Sequence, residues 1–212
     1  MTGRFITVEG GEGAGKSTLM AALEARLREH GFDVVATREP GGSALGEALR
    51  AIVLDPERPG LCAESELLLM FAARAQLVRE VVRPALARGA WVLSDRFTDA
   101  SYAYQGGGRG QPHARIADLE NWAADALRPD LTLLLDLPVA EGRARAAGRD
   151  AADRIEREND GFFERVRDAY RARARAEPER FRTIDAGAPV ETVRAASLAA
   201  LEDFIARVEV RA

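Results

Sequence analysis

The sequence predicts an α/β protein: one domain built on a parallel sheet of five strands, with helices on both faces. Three observations predict it. Short apolar runs bounded by turn residues alternate with runs of helical periodicity along the whole chain. A length of 212 residues suits one domain, and a hydrophobic content of 47% suits a packed core. Third, Gly10-Gly11-Glu12-Gly13-Ala14-Gly15-Lys16-Ser17 reads G-x-x-x-x-G-K-[ST] and lies between an apolar run and a helix-forming run. That is the strand–loop–helix setting in which such a loop cradles phosphate.

Residues 5–9 are the first predicted strand. A helix over 18–28 follows, with Leu19, Leu23 and Leu27 as its buried stripe and Gly31 just past its end. Residues 33–37 form the second strand, stopped by the turn Arg38-Glu39-Pro40-Gly41-Gly42. A helix over 44–55 and a loop over 55–60 lead to the longest predicted helix, 65–88. Its segment 67–71 is apolar all round and is expected to be deeply buried. The buried strand at 91–93 ends in Ser94-Asp95-Arg96. A short helix over 98–105 and a flexible glycine loop over 106–110 come next, then a helix over 112–127. The fourth strand is 131–136, and a helix begins near Pro138. From 143 to 157 the arginines Arg143, Arg145, Arg149, Arg154 and Arg157 alternate with Ala, Gly and Asp, which predicts a mobile basic segment. A helix over 162–176, a strand over 181–184 and a helix over 190–208 complete the chain. Crossovers between parallel strands are expected to be right-handed.

Bulk properties exclude several classes. The net charge of −4 argues against a nucleic-acid backbone as main partner. A single cysteine, Cys62, makes no internal disulfide, and Cys62 with His30 and His113 gives no metal framework. No secretory leader pattern and no run of membrane-spanning length is present, so a cytoplasmic location is expected.

The loop supplies the first chemistry. Gly10, Gly11, Gly13 and Gly15 let the backbone curl and aim successive N–H groups inward, and the following helix adds its positive end. Lys16 would reach the β- and γ-phosphates, and the Ser17 hydroxyl would ligate Mg²⁺. Lys16 is the only lysine among 30 basic residues, placed where a compact ammonium fits between phosphates and a planar guanidinium does not. Phosphoryl transfer also needs a metal-side acid, extra positive charge and an acceptor pocket. Asp95 ends a buried strand at the carboxyl edge of the sheet, and Arg96 beside it offers a phosphate fork. Asp136 ends another such strand and is the rival, read instead as a cap of the next helix. The segment 143–157 would close as a basic lid and exclude water. Arg50, Arg74, Tyr104 and Gln105 suggest the acceptor pocket, with Glu66 as an alternative partner for Arg74.

Over nearly its whole length the chain resembles the bacterial thymidylate kinases. The marks are E-G-x-E-G-A-G-K-S at 9–17, R-E-P-G-G at 38–42, A-A-R at 72–74 and D-R-F at 95–97. A-Y-Q-G-G-G-R-G at 103–110, R-P-D-L-T-L-x-L-D at 128–136 and D-R-I-E at 153–156 complete the set. The resemblance implies a three-layer P-loop kinase fold over 1–212 with a lid near 143–160. It implies transfer from ATP to dTMP with Mg²⁺, in a homodimer. It places Gly10 to Thr18 and Arg143 on ATP, Ser17 and Asp95 on the metal, and Lys16, Asp95, Arg96 and Arg149 in catalysis. Around dTMP it places Glu12 near the sugar 3′-hydroxyl, Arg50 and Arg96 on the phosphate, and Arg74, Ser101 and Gln105 at the thymine edge. Tyr104 belongs to the same pocket, Met70 or Phe71 lies against the base, and Tyr170 packs near the deoxyribose. Gly13 stands where some members carry a loop arginine, so the chain resembles the lid-arginine type, with Arg149 first and Arg143, Arg145 and Arg154 behind it. Departures are Phe97 after D-R, Ala100 in place of a common serine, and Met70 where many members have an aromatic ring. The nearest alternative is another P-loop nucleoside monophosphate or deoxynucleoside kinase. A GTPase would need an N-K-x-D motif, which a chain with one lysine lacks, and the acidic balance counts against a nucleic-acid-remodelling ATPase.

Overall fold

The computed structural model describes residues 3–58, 60–147 and 152–210. Among them, five strands form one parallel sheet: β1 Phe5–Gly10, β2 Val34–Arg38, β3 Trp91–Asp95, β4 Leu131–Asp136 and β5 Phe181–Asp185, in the order β2-β3-β1-β4-β5. Val8 pairs with Asp95 and Gly10 with Leu135, so the ends of β1, β3 and β4 lie side by side. From β1 the chain crosses to one side of the sheet, and from β3 it crosses to the other. The crevice between their carboxyl ends is therefore the topological switch point, where ligands of such sheets bind.

Alternation along the strands sorts the core into layers. Ile6, Val8, Leu131, Leu133 and Leu135 face α1 (Lys16–Glu29) and the last helix, packing on Leu19, Leu23, Leu27, Leu201 and Phe204. Phe5 and Val92 face the opposite side, against Leu77, Val78 and Val82. Thr7 and Glu9 alternate with Ile6 and Val8, and Glu9 is wholly buried. The other helices are α2 Ala44–Leu54, α3 Ala63–Leu77, α4 Arg83–Ala87, α5 Thr98–Ser101, α6 His113–Ala123, α7 Val139–Ala146, α8 Asp160–Ala176 and α9 Val190–Glu209. Ser43 Oγ caps α2 and Asn159 caps α8 through its side chain.

Several expectations are corrected. The predicted helix 65–88 is α3, a wide i→i+5 turn at Val78–Val82, and α4. The widening falls just ahead of Pro84, which has no N–H to give a tighter turn. The segment 67–71 is not buried all round: Leu67, Met70 and Phe71 are buried, but Leu68 is exposed. The glycine run is not a flexible loop. Tyr102–Gly108 continues α5 as wide i→i+5 turns against α8. A Cβ at Gly107 would come within 2.7 Å of the Ala169 methyl, and one at Gly108 would strike the Phe162 ring. The glycines there let two helices approach closely. Of the basic segment, residues 152–157 lie among the described residues and pack against the rest of the chain. Arg154 N–H donates to Leu54 O, and Ile155 joins the core cluster of Tyr104, Phe162 and Tyr170.

Candidate active site

A cleft of about 460 Å³ opens at the switch point. The phosphate loop forms one end, Asp95 and Arg96 the middle, and Met70 and Gln105 the other end. The loop follows β1 directly, with Gly13 at φ 70° and Gly15 at φ 90°, a left-handed region that favours glycine. A Cβ at Gly13 would also collide with the backbone of Gly142 in α7. The loop therefore has no room for a side chain at that position.

Lys16 Nζ donates to Gly11 O at 2.9 Å and Gly10 O at 3.3 Å, holding the ammonium across the loop mouth. Burial lowers its pKa and Arg96 adds to that, while Glu12, Asp95 and Glu9 oppose it. Asp95 ends β3, and its Oδ1 is buried with no hydrogen-bond partner among the described residues. Asp95 and the Ser17 hydroxyl line the same cleft. An orphaned carboxylate oxygen in a cleft that also holds a hydroxyl fits a hard, oxygen-seeking cation. Among the described residues no group of three or more His, Cys, Asp or Glu gathers to hold a metal. A Mg²⁺ site built on one or two side chains plus substrate phosphates fits that donor set.

Arg96 adopts φ 72°, strained for an arginine. Three bonds hold the strain in place: Arg96 N–H to Val8 O at 3.0 Å, Ser94 Oγ–H to Arg96 O at 2.7 Å, and Phe97 N–H to Glu9 Oε1 at 2.7 Å. The turn aims the guanidinium across the cleft floor. It donates to Gly10 O at 2.9 Å, Tyr170 Oη at 3.1 Å and Glu12 Oε1 at 2.8 Å, over the Tyr104 ring. Burial opposes its charge, but Tyr104, Tyr170, Glu12 and Asp95 hold its pKa above the usual value. Tyr104 Oη donates to Glu12 Oε1 at 3.0 Å. Tyr170 Oη donates to Glu9 Oε2 at 2.7 Å, and Glu9 is pushed up to about 8 by burial and by nearby Asp99.

Of the expected site residues, the cleft brings together Glu12 to Thr18, Arg50, Met70, Asp95, Arg96, Tyr104 and Gln105. Gly10 and Gly11 bound a smaller cavity behind the loop, shared with Arg143 and Tyr170. Other expected residues lie outside the cleft. Phe71 packs beneath Arg74, 4.4 Å from its guanidinium. Arg74 is fully buried and donates to Glu39 at 2.7 Å, Ser101 Oγ at 2.9 Å and Phe97 O at 3.1 Å. Its partner is thus Glu39 and not Glu66. Ser101 is consumed by Arg74, and Tyr170 lies beneath Arg96. Asp136 neither lines the cleft nor caps α7. Arg167 and Arg171 of α8 occupy its two oxygens.

The basic segment divides in the same way. Arg149 lies outside the described residues. Arg143 donates to Glu158 O and pairs with Asp160, and Arg145 donates to Ala186 O. Arg154 pairs with Glu66 at 2.6 Å, and Arg157 donates to Pro56 O. Arg145 borders a second groove of about 960 Å³, between the start of α1 and residues 186–194. Sequence reasoning missed Glu9, Glu39 and Glu66 as parts of the site. Glu9 carried a usable signal, a charge on the alternate face of a strand that is otherwise buried.

A model of the family described as thymidylate kinase matches residues 8–196. Thymidylate kinase of Pseudomonas putida (strain F1) is 59% identical over 194 residues, covering 92% of each chain. That of Pseudomonas entomophila is 56% identical over 207 residues, 98% of this chain and 99% of the relative. The crystal structure of thymidylate kinase from Ehrlichia chaffeensis superposes with a TM-score of 0.77 at 30% identity, covering 95% of this chain and 99% of that one.

Proposed function

The chain belongs to the thymidylate kinase family, and we propose that it transfers the γ-phosphoryl group of ATP to the 5′-phosphate of dTMP, giving ADP and dTDP. The observation that carries this reading is the one continuous cleft from the phosphate loop past Asp95 and Arg96 to Met70 and Gln105. It offers donor phosphates one end and a flat base the other. A dTMP phosphate oxygen forms the new P–O bond as the bond to the β–γ bridging oxygen breaks.

The residues divide this work. The loop N–H groups, Lys16 and Thr18 hold the ATP phosphates. Ser17 and Asp95 would hold Mg²⁺, which supplies positive charge to those phosphates when bound. Arg50 and Arg96 take the dTMP phosphate, and Glu12 exchanges one of its present partners, Arg96 or Tyr104, for the sugar 3′-hydroxyl. Met70 packs on the base and Gln105 reads its edge. Arg74, Ser101 and Tyr170 act from behind this wall: Arg74 is held by Ser101 and Glu39, and Tyr170 holds Arg96. The groove beside Arg145 would take the adenine. Because Gly13 leaves the loop without a side chain, the transition-state charge falls to the basic segment, with Arg149 the first candidate.

A homodimer and a cytoplasmic location belong to the same proposal. Leu45 and Leu68 are exposed on the neighbouring helices α2 and α3, an apolar surface for a second copy. Sedimentation of the purified chain tests it. Among the described residues no helix is long and apolar enough to cross a membrane. Acceptor specificity tests the function itself. With ATP as donor, dTMP is expected to outpace dUMP, dCMP and thymidine, and inactivity with dTMP would overturn the proposal.

A further inference from the structure

Gln105 is wholly buried, lines the cleft, and has one polar atom, Oε1, with no partner among the described residues. Its other end is fixed. Gln105 Nε2 donates to Glu66 Oε1 at 2.9 Å. Glu66 sits in the first turn of α3, 1% exposed, and Gln105 shares it with two arginines. Arg109 Nε donates to both of its oxygens, at 3.3 and 3.2 Å, and Arg154 donates to Oε2 at 2.6 Å. Burial works against the charge of Glu66, but the bonds from Gln105, Arg154 and Arg109 hold its pKa below the usual value. The group is a carboxylate, and a carboxylate only accepts hydrogen bonds.

That settles the polarity of Gln105. A free glutamine amide presents either its oxygen or its NH₂ to a ligand by turning over. Here the NH₂ end must meet Glu66, because the oxygen end would place two acceptors together in a buried site. The end left without a partner is therefore an acceptor, on a residue that lines the cleft. Thymine and uracil carry an N–H at ring position 3, a donor, whereas cytosine carries a bare nitrogen there, an acceptor. We propose that Glu66 is a positioning residue that fixes Gln105 as a hydrogen-bond acceptor and so makes the cleft select a base with an N–H at position 3 over cytosine. This rests on the pyrimidine-monophosphate reading above.

The test is the ratio of kcat/KM for dTMP to that for dCMP, with folding followed by Tm. Glu66→Gln removes the demand for a donor, because an amide in place of the carboxylate turns to meet either end of Gln105. The ratio is expected to fall at least about tenfold, through a rise in KM for dTMP and a gain with dCMP, with KM for ATP unchanged. Glu66→Asp withdraws the carboxylate by one methylene and is expected to lower the ratio similarly, which keeps the test available if Glu66→Gln does not fold. Glu66 also anchors Arg154, so Arg154→Met is the control and should leave the ratio intact whatever its effect on kcat. A double-mutant cycle completes the test: in a Gln105→Met background, Glu66→Gln should leave the ratio unchanged. A folded Glu66 variant with the wild-type ratio would overturn the inference. So would an equal loss in Arg154→Met, or a full further loss in the Gln105→Met background. A wild-type chain that does not phosphorylate dTMP would instead overturn the function on which the inference rests.

Discussion

Asp95 and Asp136 occupy equivalent places and meet opposite fates. Each ends a buried parallel strand, and β3 and β4 flank β1 on its two sides. Asp136 lies under α8, which presents Arg167 and Arg171 one turn apart and takes both carboxylate oxygens, at 2.7 and 3.2 Å. Asp95 lies at the switch point, where the neighbouring arginine turns away. Arg96 bends into a left-handed conformation and spends its guanidinium on Gly10, Glu12 and Tyr170, leaving Asp95 Oδ1 buried and without a hydrogen-bond partner among the described residues. Glu9, on β1 between them, meets a third fate: it is enclosed by Phe97 and Tyr170 and pushed up to about 8. A strand end supplies a carboxylate. What packs over that end decides whether it works as an ion-pair partner, a proton holder or a ligand.

Four variants break or sharpen this contrast. Asp95→Asn carries the largest expected effect, a fall in kcat of about a hundredfold with Tm little changed, as for the loss of one preorganised electrostatic group. A near-normal kcat would remove Asp95 from the chemistry. Arg149→Ala should lower kcat by about tenfold or more and change KM for dTMP far less. Equal changes in both would mean that Arg149 binds dTMP and does not act in the transition state. Asp136→Asn should leave kcat within about threefold and cost about 1 kcal/mol of stability, since both arginine partners are partly exposed and screened. That is about 2–4 °C in Tm for a chain of this length. A large kcat loss at wild-type Tm would erase the distinction between the two strand ends.

Glu9→Gln is the subtlest. The Glu9 pKa is raised from the usual 4.5 to about 8 in the folded chain. Between those values the folded state binds more protons than the unfolded one, so stability from this group is lost as pH rises and is fully present below the unfolded value. The wild type should therefore lose a few degrees of Tm from about pH 5.5 to 8 relative to Glu9→Gln, a difference read by thermal melts at the two pH values. Parallel pH profiles would mean that Glu9 titrates normally.

Much of this architecture is legible in the residues. The phosphate loop, the five strands and the placement of Asp95 at a sheet edge follow from apolar runs, glycine spacing and the strand–loop–helix order. What escapes is decided by packing between distant segments. The glycines at 106–108 read as flexible because composition does not reveal that α8 presses against them. Leu68 looks buried because its neighbours are apolar, but the helix turns it outward. Residue patterns place Arg74 in the acceptor pocket, with Glu66 as its alternative partner. Its partner is Glu39, 35 residues away in sequence, and Glu66 is claimed by Gln105, Arg109 and Arg154. Ion-pair choices of this kind depend on which helices lie together, and no local pattern records them.

The central claim is that the cleft passes phosphate from ATP to dTMP beside Asp95. Its most direct test is ADP and dTDP formation by the wild type, Asp95→Asn and Asp136→Asn under one set of conditions. The wild type should form ADP and dTDP in equal amounts, Asp136→Asn should keep nearly the same rate, and Asp95→Asn should fall about a hundredfold. No dTDP from the wild type, or equal losses in the two variants, would contradict it.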